Sequence, residues 1–366
     1  MTALGEVAAL LACPECGAEL RAHERALRCA TGHSFDIARQ GYVGLLTGAS
    51  TKMTGDTADM LDARAAFQGA GHFAPIATAI TRAFALDPAG GTHSPPDLTP
   101  SLETRGTPGP DAPPIVDTVA ALPDNIPQRA RPADGTSATP LEPTRQATGP
   151  TTGNHATRDV VMPSGGPARG ETILEVGAGT GYYLAEVLAA RPGTAGIALD
   201  VAKPAARRAA RAHPRLASVL ADAWRGLPIR DHVLAGVLSV FAPRNPAEVA
   251  RVLAPGGRFV VVTPTARHLR ELVGPLGMVR VDPEKQRRLA ASMAGTFVRV
   301  DHTLVEFPMK LSRQDVTRVV AMGPSAFHGT PADDPRIAAL PEVTEVTAAV
   351  TVSTFVPMRT HAASAR

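Results

Sequence analysis

The amino-acid sequence predicts an α/β fold: a doubly wound, mostly parallel sheet, with a small N-terminal unit and a disordered insertion rich in Pro and Gly. Three observations support this prediction. From residue 171 onward, short β-rich runs alternate with Ala-rich helical runs, which is typical of parallel sheets with crossover helices. All three cysteines lie near the N-terminus, and a long segment without aromatic residues separates the two parts. At 366 residues, the chain is long enough for more than one folded unit.

The composition narrows the class of protein. Apolar residues make up 44% of the chain, enough for a large core. The formal net charge of +3 excludes an acidic tail protein and only weakly favours an anionic partner. No apolar run approaches the ~18 residues that a membrane helix needs, and no basic residue precedes Arg21, so we expect neither a membrane span nor an export signal. Because three cysteines do not form a secreted disulfide framework, we expect a reduced, cytoplasmic protein.

Changes in composition predict four segments along the chain. These are an N-terminal unit (1–50), a helical connecting segment (51–87), the insertion (88–170) and the sheet domain (171–358). Residues 91–170 contain no aromatic residue and no Lys, and this stretch holds fifteen of the 34 prolines. Such a segment cannot bury enough apolar surface to offset its ordering entropy, so it is predicted to be disordered. We interpret it as a dispensable linker, with a partner-binding arm as the alternative.

The N-terminal unit has the ligand spacing of a zinc site. Cys13 and Cys16 form a Cys-x2-Cys pair. After twelve intervening residues, Cys29 and His33 form a Cys-x3-His pair. Zn²⁺ takes four sulfur or nitrogen ligands in a tetrahedron, and a two-residue gap lets both thiolates of a pair reach one ion. The alternative is a set of buried or free thiols. Because a unit this small has almost no core of its own, the metal is expected to provide most of its stability.

The connecting segment has the pattern of an amphipathic helix. Ile76, Ile80, Ala83 and Phe84 recur at helical spacing, and Pro75 is suited to the first helical turn.

The sheet domain is predicted element by element. The predicted strands are Thr172–Val176, Gly196–Leu199, Ser218–Ala221, Ala235–Phe241 and Arg258–Thr263, and the predicted helices are Tyr182–Ala190, Pro204–Ala212 and Pro246–Leu253. Near the end of the chain, Val343–Val356 has no helical period and predicts an added strand or hairpin.

A glycine-rich turn follows the first predicted strand. The pattern Glu-x-Gly-x-Gly-x-Gly begins at Glu175, and its glycines are Gly177, Gly179 and Gly181. A dinucleotide fingerprint would require Gly at position 182, where this chain has Tyr182. The spacing instead matches the turn of Rossmann-like class I methyltransferases, which use S-adenosylmethionine. Bare glycines let the backbone lie against the ligand where a side chain would collide.

Two carboxylates end the next two predicted strands. Asp200 ends the second strand and is placed to accept hydrogen bonds from the ribose hydroxyls of the cofactor. Asp222 follows the third strand, where the adenine edge would be recognised. The alternative for Asp200 is a helix cap before Pro204. The glycine turn and the two acids, in this order, predict S-adenosylmethionine as the cofactor.

Two motifs that the sequence lacks reduce the number of possible classes of methyl acceptor. Pyrimidine C5 methylation uses a Cys nucleophile, and no cysteine follows the zinc pattern. The loop Ser239–Asn245 lacks the Asp/Asn-Pro-Pro-aromatic box that binds an exocyclic amine. Transfer to a ring nitrogen, a small-molecule heteroatom or a protein group remains open.

Basic residues on one predicted helix suggest phosphate binding, with a solvated face as the alternative: Lys203, Arg207, Arg208, Arg211 and Arg215.

Several motifs together resemble one family. They are the run from Cys13 to Leu46, Ala70–Pro75, Gly181–Tyr183, Arg211–Pro214, Phe241–Asn245, Pro264–Leu269 and Val319–Pro324. In this order they resemble the bacterial 23S rRNA guanine-N1 methyltransferases of the RlmA type, most closely the macrolide-resistance branch. The resemblance covers nearly all of residues 10–87 and 171–358, and it does not include the insertion.

The resemblance implies a function and a set of site residues. It implies that the chain methylates N1 of a guanine in a 23S rRNA hairpin with adenosylmethionine as donor, and that a zinc unit ligated by Cys13, Cys16, Cys29 and His33 helps to recognise the RNA. By position, it also implies cofactor contacts at Phe73, Gly179, Thr180, Asp200 and His268. Phe73 stands where the family has Tyr, so a hydroxyl contact would be absent. At Thr180 the resemblance favours a contact through the backbone.

The catalytic base stays open at this point. Guanine N1 carries a proton that must leave as the methyl group arrives. His268 is one candidate to accept it, although a role in the cofactor site is the favoured interpretation. Asp36, His72 and His328 are further candidates, with capping or packing as their ordinary roles.

Two alternatives to the rRNA methyltransferase are kept. One is a small-molecule methyltransferase of natural-product metabolism whose zinc unit is structural. The other is a non-catalytic zinc-ribbon protein that binds RNA and retains only the fold. A homodimer is a further expectation for the leading hypothesis, with macrolide resistance as a possible consequence.

Overall fold

A computed structural model describes residues 2–46, 55–85, 171–323 and 334–358 of the protein. The insertion predicted to be disordered, 88–170, lies outside the described residues, as does His328. Within the described ranges, every helix is too short or too polar to cross a lipid bilayer.

The N-terminal segment forms a small antiparallel sheet and one strand of a larger sheet. Its elements are α1 (Ala3–Val7), a 3-10 turn (Ala8–Leu10), β1 (Leu20–His23), β2 (Ala26–Cys29), β3 (Ser34–Asp36) and β4 (Tyr42–Gly44). Strands β1, β2 and β3 pair in that order. Strand β4 instead pairs in parallel with residues 218–220 of the large sheet. The N-terminal segment is therefore joined to the large sheet by backbone hydrogen bonds.

Two helices of twelve residues each form the described part of the connecting segment, α2 (Ala58–Gly69) and α3 (Ala74–Ala85). The Thr57 side chain caps α2 by accepting the N–H of Met60. Helix α3 buries the apolar positions predicted from its spacing, which are Ile76, Ile80, Ala83 and Phe84. The prediction of a helix over these positions is thus confirmed.

The remaining elements are strands connected mostly by helices. They are β5 (Thr172–Val176), α4 (Tyr182–Ala190), β6 (Ala195–Asp200), α5 (Lys203–Ala209), β7 (Leu216–Leu220), β8 (Leu234–Val240), α6 (Pro246–Val252), β9 (Leu253–Pro264), α7 (Arg270–Leu276), α8 (Lys285–Met293), β10 (Phe297–Ser312), α9 (Arg313–Ala321), α10 (Pro335–Ala338) and β11 (Val343–Pro357). The segment predicted as an added strand or hairpin, Val343–Val356, lies within one long strand, β11.

These strands form one eight-stranded sheet in the order β10-β11-β9-β8-β5-β6-β7-β4. From β9 to β4 the neighbours are parallel, whereas β11 and β10 are antiparallel additions. The chain runs from β5 to one side of the sheet and returns to β8 on the other side. A crevice opens at the carboxyl ends of strands where the winding direction reverses, and ligands bind there. The site is therefore expected beyond β5 and β8.

The N-terminal segment shares its hydrophobic core with the sheet. Val7, Leu11 and Leu27 are fully buried in one cluster that also contains Leu174 and Val237 of the central strands. The segment therefore has little core of its own, and it buries its apolar side chains against another part of the chain. The metal is thus not the segment's sole source of stability.

The predicted basic helix ends earlier than its sequence pattern indicated. The helix predicted over Pro204–Ala212 ends at Ala209. Beyond it, Arg215 turns inward, and its guanidinium donates to the backbone carbonyls of Leu188, Arg191 and Thr194. Arg215 therefore connects α4 to β6 and is not part of a basic helix face.

Candidate active site

The three glycines of the turn after β5 all adopt positive φ angles, 69° at Gly177, 54° at Gly179 and 77° at Gly181. These values lie in the left-handed region that side chains disfavour. A Cβ at position 177 would also stand 2.6 Å from the Cβ of Ala242, which follows β8. The turn therefore presents bare backbone at the switch point of the sheet, as the sequence predicted.

Asp200 lies beside this turn at the end of β6. Its Oδ2 accepts the N–H of Gly179 at 2.8 Å, and its Oδ1 accepts the N–H of Ala202 at 2.8 Å. Burial raises the pKa of Asp200 above its ordinary value, and the two backbone donors oppose that shift. Each oxygen keeps a second lone pair, so the carboxylate can still accept hydrogen bonds from a ligand.

The side chain of Thr180 is used inside the protein. Its hydroxyl donates to Gln68 Oε1 of α2 at 2.7 Å, and both residues are buried. A ligand at this position is therefore left with the backbone of residue 180. This geometry agrees with the backbone contact that the sequence comparison implied.

Asp222 follows β7 and is 7% exposed. Its Oδ1 accepts the N–H of Trp224 at 3.0 Å, and Arg225 lies 3.7 Å from its Oδ2. The carboxylate is thus held at the carboxyl edge of the sheet, two strands away from β5, where the adenine-reading role was predicted.

Glu175 is the buried acid of the glycine motif. Its Oε2 accepts the N–H of Leu184 at 3.2 Å, and burial raises its pKa from 4.5 to about 8. The carboxyl is therefore protonated at neutral pH and lies behind the turn, where it contacts α4.

Glu175→Gln is expected to stabilise the protein at alkaline pH. The unfolded chain releases the Glu175 proton near pH 4.5 and the folded chain near pH 8, so wild-type stability falls as the pH rises through this window. The variant has no such proton, so its free energy of unfolding should exceed that of the wild type by roughly 1–3 kcal/mol at pH 9. Urea unfolding at pH 5 and pH 9 measures both proteins. An equal difference at the two pH values would contradict a protonated Glu175.

Three aromatic rings meet at the carboxyl ends of β8 and β9. Phe73 lies just before α3, Phe241 just after β8, and His268 after β9. The His268 ring centroid lies 6.2 Å from that of Phe73 and 5.8 Å from that of Phe241. Phe73 is 3% exposed, whereas Phe241 is 39% exposed. We call these three residues the aromatic cluster.

The backbone of Phe241 is strained, with a φ of 54°. A bulky residue in the left-handed region costs of the order of 1 kcal/mol or more, and such outliers concentrate at functional sites. The side chain is exposed although it is large and apolar. The sequence motif Phe241–Asn245 includes this residue but gave it no role in the site, and the signal it offered was an aromatic residue at the end of a buried strand.

The protonation state of His268 follows from its contacts. Its Nδ1 accepts the N–H of Ala349 at 3.1 Å, so a neutral ring carries its proton on Nε2. Burial lowers the pKa of His268 to about 4, and the positive charge of Lys285 acts in the same direction. The ring is therefore neutral at physiological pH and offers an N–H donor.

The other candidate bases lie elsewhere. Asp36 is exposed at the end of β3 in the small sheet. His72 is half-buried near Phe67 and lies 3.5 Å from Asp315, which belongs to the capping box of α9. On the predicted basic helix, Arg208 forms an ion pair with Asp62 of α2.

The four predicted zinc ligands converge. The ligand atoms of Cys13, Cys16, Cys29 and His33 all lie within 4.8 Å of one another. The sulfurs of Cys16 and Cys29 are 3.8 Å apart, and His33 Nδ1 is 3.4 Å from the sulfur of Cys29. A tetrahedron with Zn–S bonds of about 2.3 Å has edges of about 3.8 Å. The donor set and its spacing therefore fit Zn²⁺.

A neighbouring hydroxyl favours the thiolate form of two ligands. The hydroxyl of Thr31 lies 2.9 Å from the sulfur of Cys29 and 3.0 Å from that of Cys16. Its hydrogen bond lowers the pKa of Cys29 to about 6 and also lowers the pKa of Cys16. Metal ions bind the thiolate, so this environment suits a metal site.

The chain is similar to known proteins along nearly its whole length. The family description "RlmA, N-terminal", a zinc ribbon, matches residues 11–50. A protein of Micromonospora griseorubida that is named as a 23S rRNA (guanine-N1)-methyltransferase is 41% identical over 95% of this chain and 97% of its own length. The 23S rRNA (guanine(748)-N1)-methyltransferase of Streptomyces fradiae is 38% identical over 95% of this chain and 97% of its own length. The chain belongs to the 23S rRNA (guanine-N1)-methyltransferase family.

Solved structures show a more distant similarity. A methyltransferase of Geobacter sulfurreducens, solved with S-adenosylhomocysteine, covers 52% of this chain and 85% of its own length at 17% identity, with a TM-score of 0.34. For this member of the rRNA (guanine-N1)-methyltransferase family, the predictions of a doubly wound α/β fold, a zinc ribbon and adenosylmethionine dependence are confirmed.

Proposed function

We propose that this chain transfers a methyl group from S-adenosylmethionine to N1 of a guanine in 23S rRNA. The guanine would be the equivalent of position 748, as named for the Streptomyces fradiae relative. The observation that carries the proposal is the pairing of a bare glycine turn with an exposed aromatic residue: Gly177 and Phe241 flank Ala242 at the switch point of one sheet.

The aromatic cluster supports a purine as the acceptor. Guanine N1 lies on the Watson–Crick edge, so the base must be unstacked from its neighbours before it can be methylated. An unstacked purine regains stacking energy on an exposed aromatic ring. Phe241 supplies such a ring next to the donor site, and its strained backbone keeps the ring at the surface.

His268 is proposed to act as a hydrogen-bond donor. Bound adenosylmethionine supplies a methyl group activated by the sulfonium, so the chain has only to orient the base and ease the loss of the N1 proton. As that proton leaves to solvent, negative charge moves to guanine O6. The Nε2–H of neutral His268 can donate to such an oxygen and stabilise the charge. This role replaces that of a base, which a ring with a pKa of about 4 performs poorly.

The cofactor contacts carried over from the sequence stay proposals with structural support. They are Phe73, Gly177, Gly179, Thr180, Gly181, Asp200, Asp222 and His268. All eight lie at or next to the carboxyl edge of the parallel strands or on the α2–α3 connection beside it. We also propose the division into a zinc unit (1–50), a connecting segment (51–87), an insertion (88–170) and a methyltransferase domain (171–358).

The small sheet of the zinc unit is proposed to contact the RNA. Arg21 of β1 and Arg28 of β2 are directly opposite in the antiparallel register, and both are exposed. Like charges placed opposite each other repel, and the carboxylate of Glu19, 3.2 Å from Arg21, is one anion that offsets this repulsion. Phosphates of an RNA hairpin are anions of this kind, and their contacts with arginine supply affinity without sequence specificity.

Three further parts of the proposal concern the setting of the reaction. Activity on ribosomal RNA implies a cytoplasmic protein, and a methyl group on a drug-contacting guanine would give macrolide resistance. We also propose a homodimer, since the outer strand β10 exposes Val298, Val300 and Leu304 at the edge of the sheet. Sedimentation analysis at micromolar concentration tests the dimer, and a monomer at all concentrations would exclude it.

Transfer of a labelled methyl group tests the function directly. The purified protein is incubated with labelled adenosylmethionine and with either unmodified 23S rRNA or a panel of small-molecule acceptors. We expect label in the RNA and none in the panel. Label only in small molecules would favour the natural-product alternative. If the protein bound RNA but neither bound the donor nor transferred a methyl group, a non-catalytic protein would be favoured. Asp200→Ala, which removes the acid beside the turn, is the control expected to lose donor affinity.

A further inference from the structure

A guanidinium group lies directly on the bare backbone of the glycine turn. Arg64 belongs to α2, which precedes the insertion, whereas the turn follows it. A Cβ at position 179 would stand 2.8 Å from Nη1 of Arg64. Gly179 therefore makes room for this arginine, in addition to any ligand, and α2 forms one wall of the donor site.

Two contacts hold Arg64 in place. Its Nη1 donates to Asp56 Oδ2 at 2.6 Å, and its Nη2 donates to the backbone oxygen of Met322 at 2.8 Å. The Arg64 and Asp56 side chains are 25% and 28% exposed, so the ion pair remains accessible to a ligand. A guanidinium has five N–H donors, and these two contacts leave three for other partners.

The ion pair is on the side of the turn that faces Asp200. The segment before α2 contacts the first turn of α5, since a Cβ at Gly55 would stand 2.6 Å from the Cβ of Ala202. Asp200 bonds to the N–H groups of both Gly179 and Ala202. Burial is the main cause of the raised pKa of Asp200; the charge of Asp56 adds to it and that of Arg64 opposes it. The side chains of Arg64, Asp56 and Asp200 therefore lie around the same small region beside the glycine turn.

The donor has a charged end that needs partners. S-adenosylmethionine ends in an α-amino acid, which carries a carboxylate and an ammonium group. Arginine binds carboxylates through paired, charge-assisted hydrogen bonds. With Asp200 assigned to the ribose, Arg64 at Gly179 and its partner Asp56 are two charged groups available for these ends of the donor.

We propose that Arg64 binds the carboxylate of the methionine part of the donor, with Asp56 orienting the guanidinium and facing the ammonium group. The proposal rests on the use of adenosylmethionine by this chain but on no property of the acceptor. It makes α2, from the segment before the insertion, a part of the cofactor site.

Calorimetry with two ligands tests this contact. The probes are S-adenosylmethionine and its decarboxylated form, which differ only by the carboxylate. We expect the wild type to bind S-adenosylmethionine about 10- to 100-fold more tightly, and Arg64→Gln to lose most of that preference. Affinity for the decarboxylated form should change less than about threefold in the variant. Arg64→Lys, which keeps the charge but loses the paired geometry, should retain part of the preference.

A matched variant controls for structural damage. Arg208 of α5 also forms an ion pair with α2, through Asp62, but lies outside the glycine turn. Arg208→Gln should leave the preference for the carboxylate unchanged. Equal losses for both ligands in Arg64→Gln, or a wild type that does not distinguish the two ligands, would overturn the proposal. Because no RNA is present, the result is independent of whether guanine is the acceptor.

Discussion

Replacement of Cys16 with Ser is expected to release the bound metal and to unfold the N-terminal segment. The Cys16 sulfur is exposed, so serine removes a ligand without opening a cavity in the core. Structural zinc contributes directly to folding free energy, and its loss is expected to lower the free energy of unfolding by more than about 3 kcal/mol. Metal content by mass spectrometry and thermal unfolding measure the two effects.

The damage should extend beyond the zinc unit. Val7, Leu11 and Leu27 share a core cluster with the central strands, and β4 pairs with β7. Loss of the metal should therefore lower the main unfolding transition as well. His23→Ala is the matched control, because His23 lies exposed between the two ligand pairs and outside the converging set. A full equivalent of zinc in Cys16→Ser would contradict the ligand assignment.

Phe241→Ala is expected to reduce methyl transfer to rRNA while donor binding stays unchanged. Base stacking on an aromatic ring is worth ~1–3 kcal/mol, which corresponds to about 5- to 150-fold in kcat/KM. The loss should appear with RNA as the varied substrate, since the ring is exposed and is not among the proposed donor contacts. Single-turnover assays with a hairpin RNA, together with calorimetry of the donor, separate the two sites.

Two variants sharpen that test. Phe241→Trp keeps an aromatic face and should retain most activity. Met358→Ala removes another exposed apolar side chain, at the end of β11, and should have no effect. If Phe241→Ala transferred methyl groups at the wild-type rate, the ring would not be the platform for the target base, and the cluster would have only a packing role.

The parts of the site that are local in sequence could be predicted. The glycine turn, Asp200 and the four metal ligands each depend on a few residues with fixed spacing, and their backbone conformations follow from residue type. Phe241 could not be recognised in this way, because its exposure and its φ depend on how β8 meets the turn after β5. Arg64 was missed for a similar reason, since it reaches Gly179 only after α2 has packed against α5 and α9.

The shared core was also beyond the sequence patterns. Apolar residues in a fifty-residue segment with metal ligands indicate a small metal-stabilised unit, and nothing in their period identifies the partner surface. Strand β4 shows the difficulty most clearly. Its three residues, Tyr42–Gly44, carry no alternation, yet they extend the large sheet at its edge.

Primer extension on 23S rRNA tests the central claim most directly. Methylation of guanine N1 blocks base pairing, so reverse transcriptase stops one nucleotide before the modified base. Ribosomal RNA from cells that carry the gene should give a strong stop at the equivalent of guanine 748, and rRNA from a deletion strain should give none. Restoring the gene should restore the stop, whereas the Asp200→Ala form should not. Identical stop patterns with and without the gene would contradict the account.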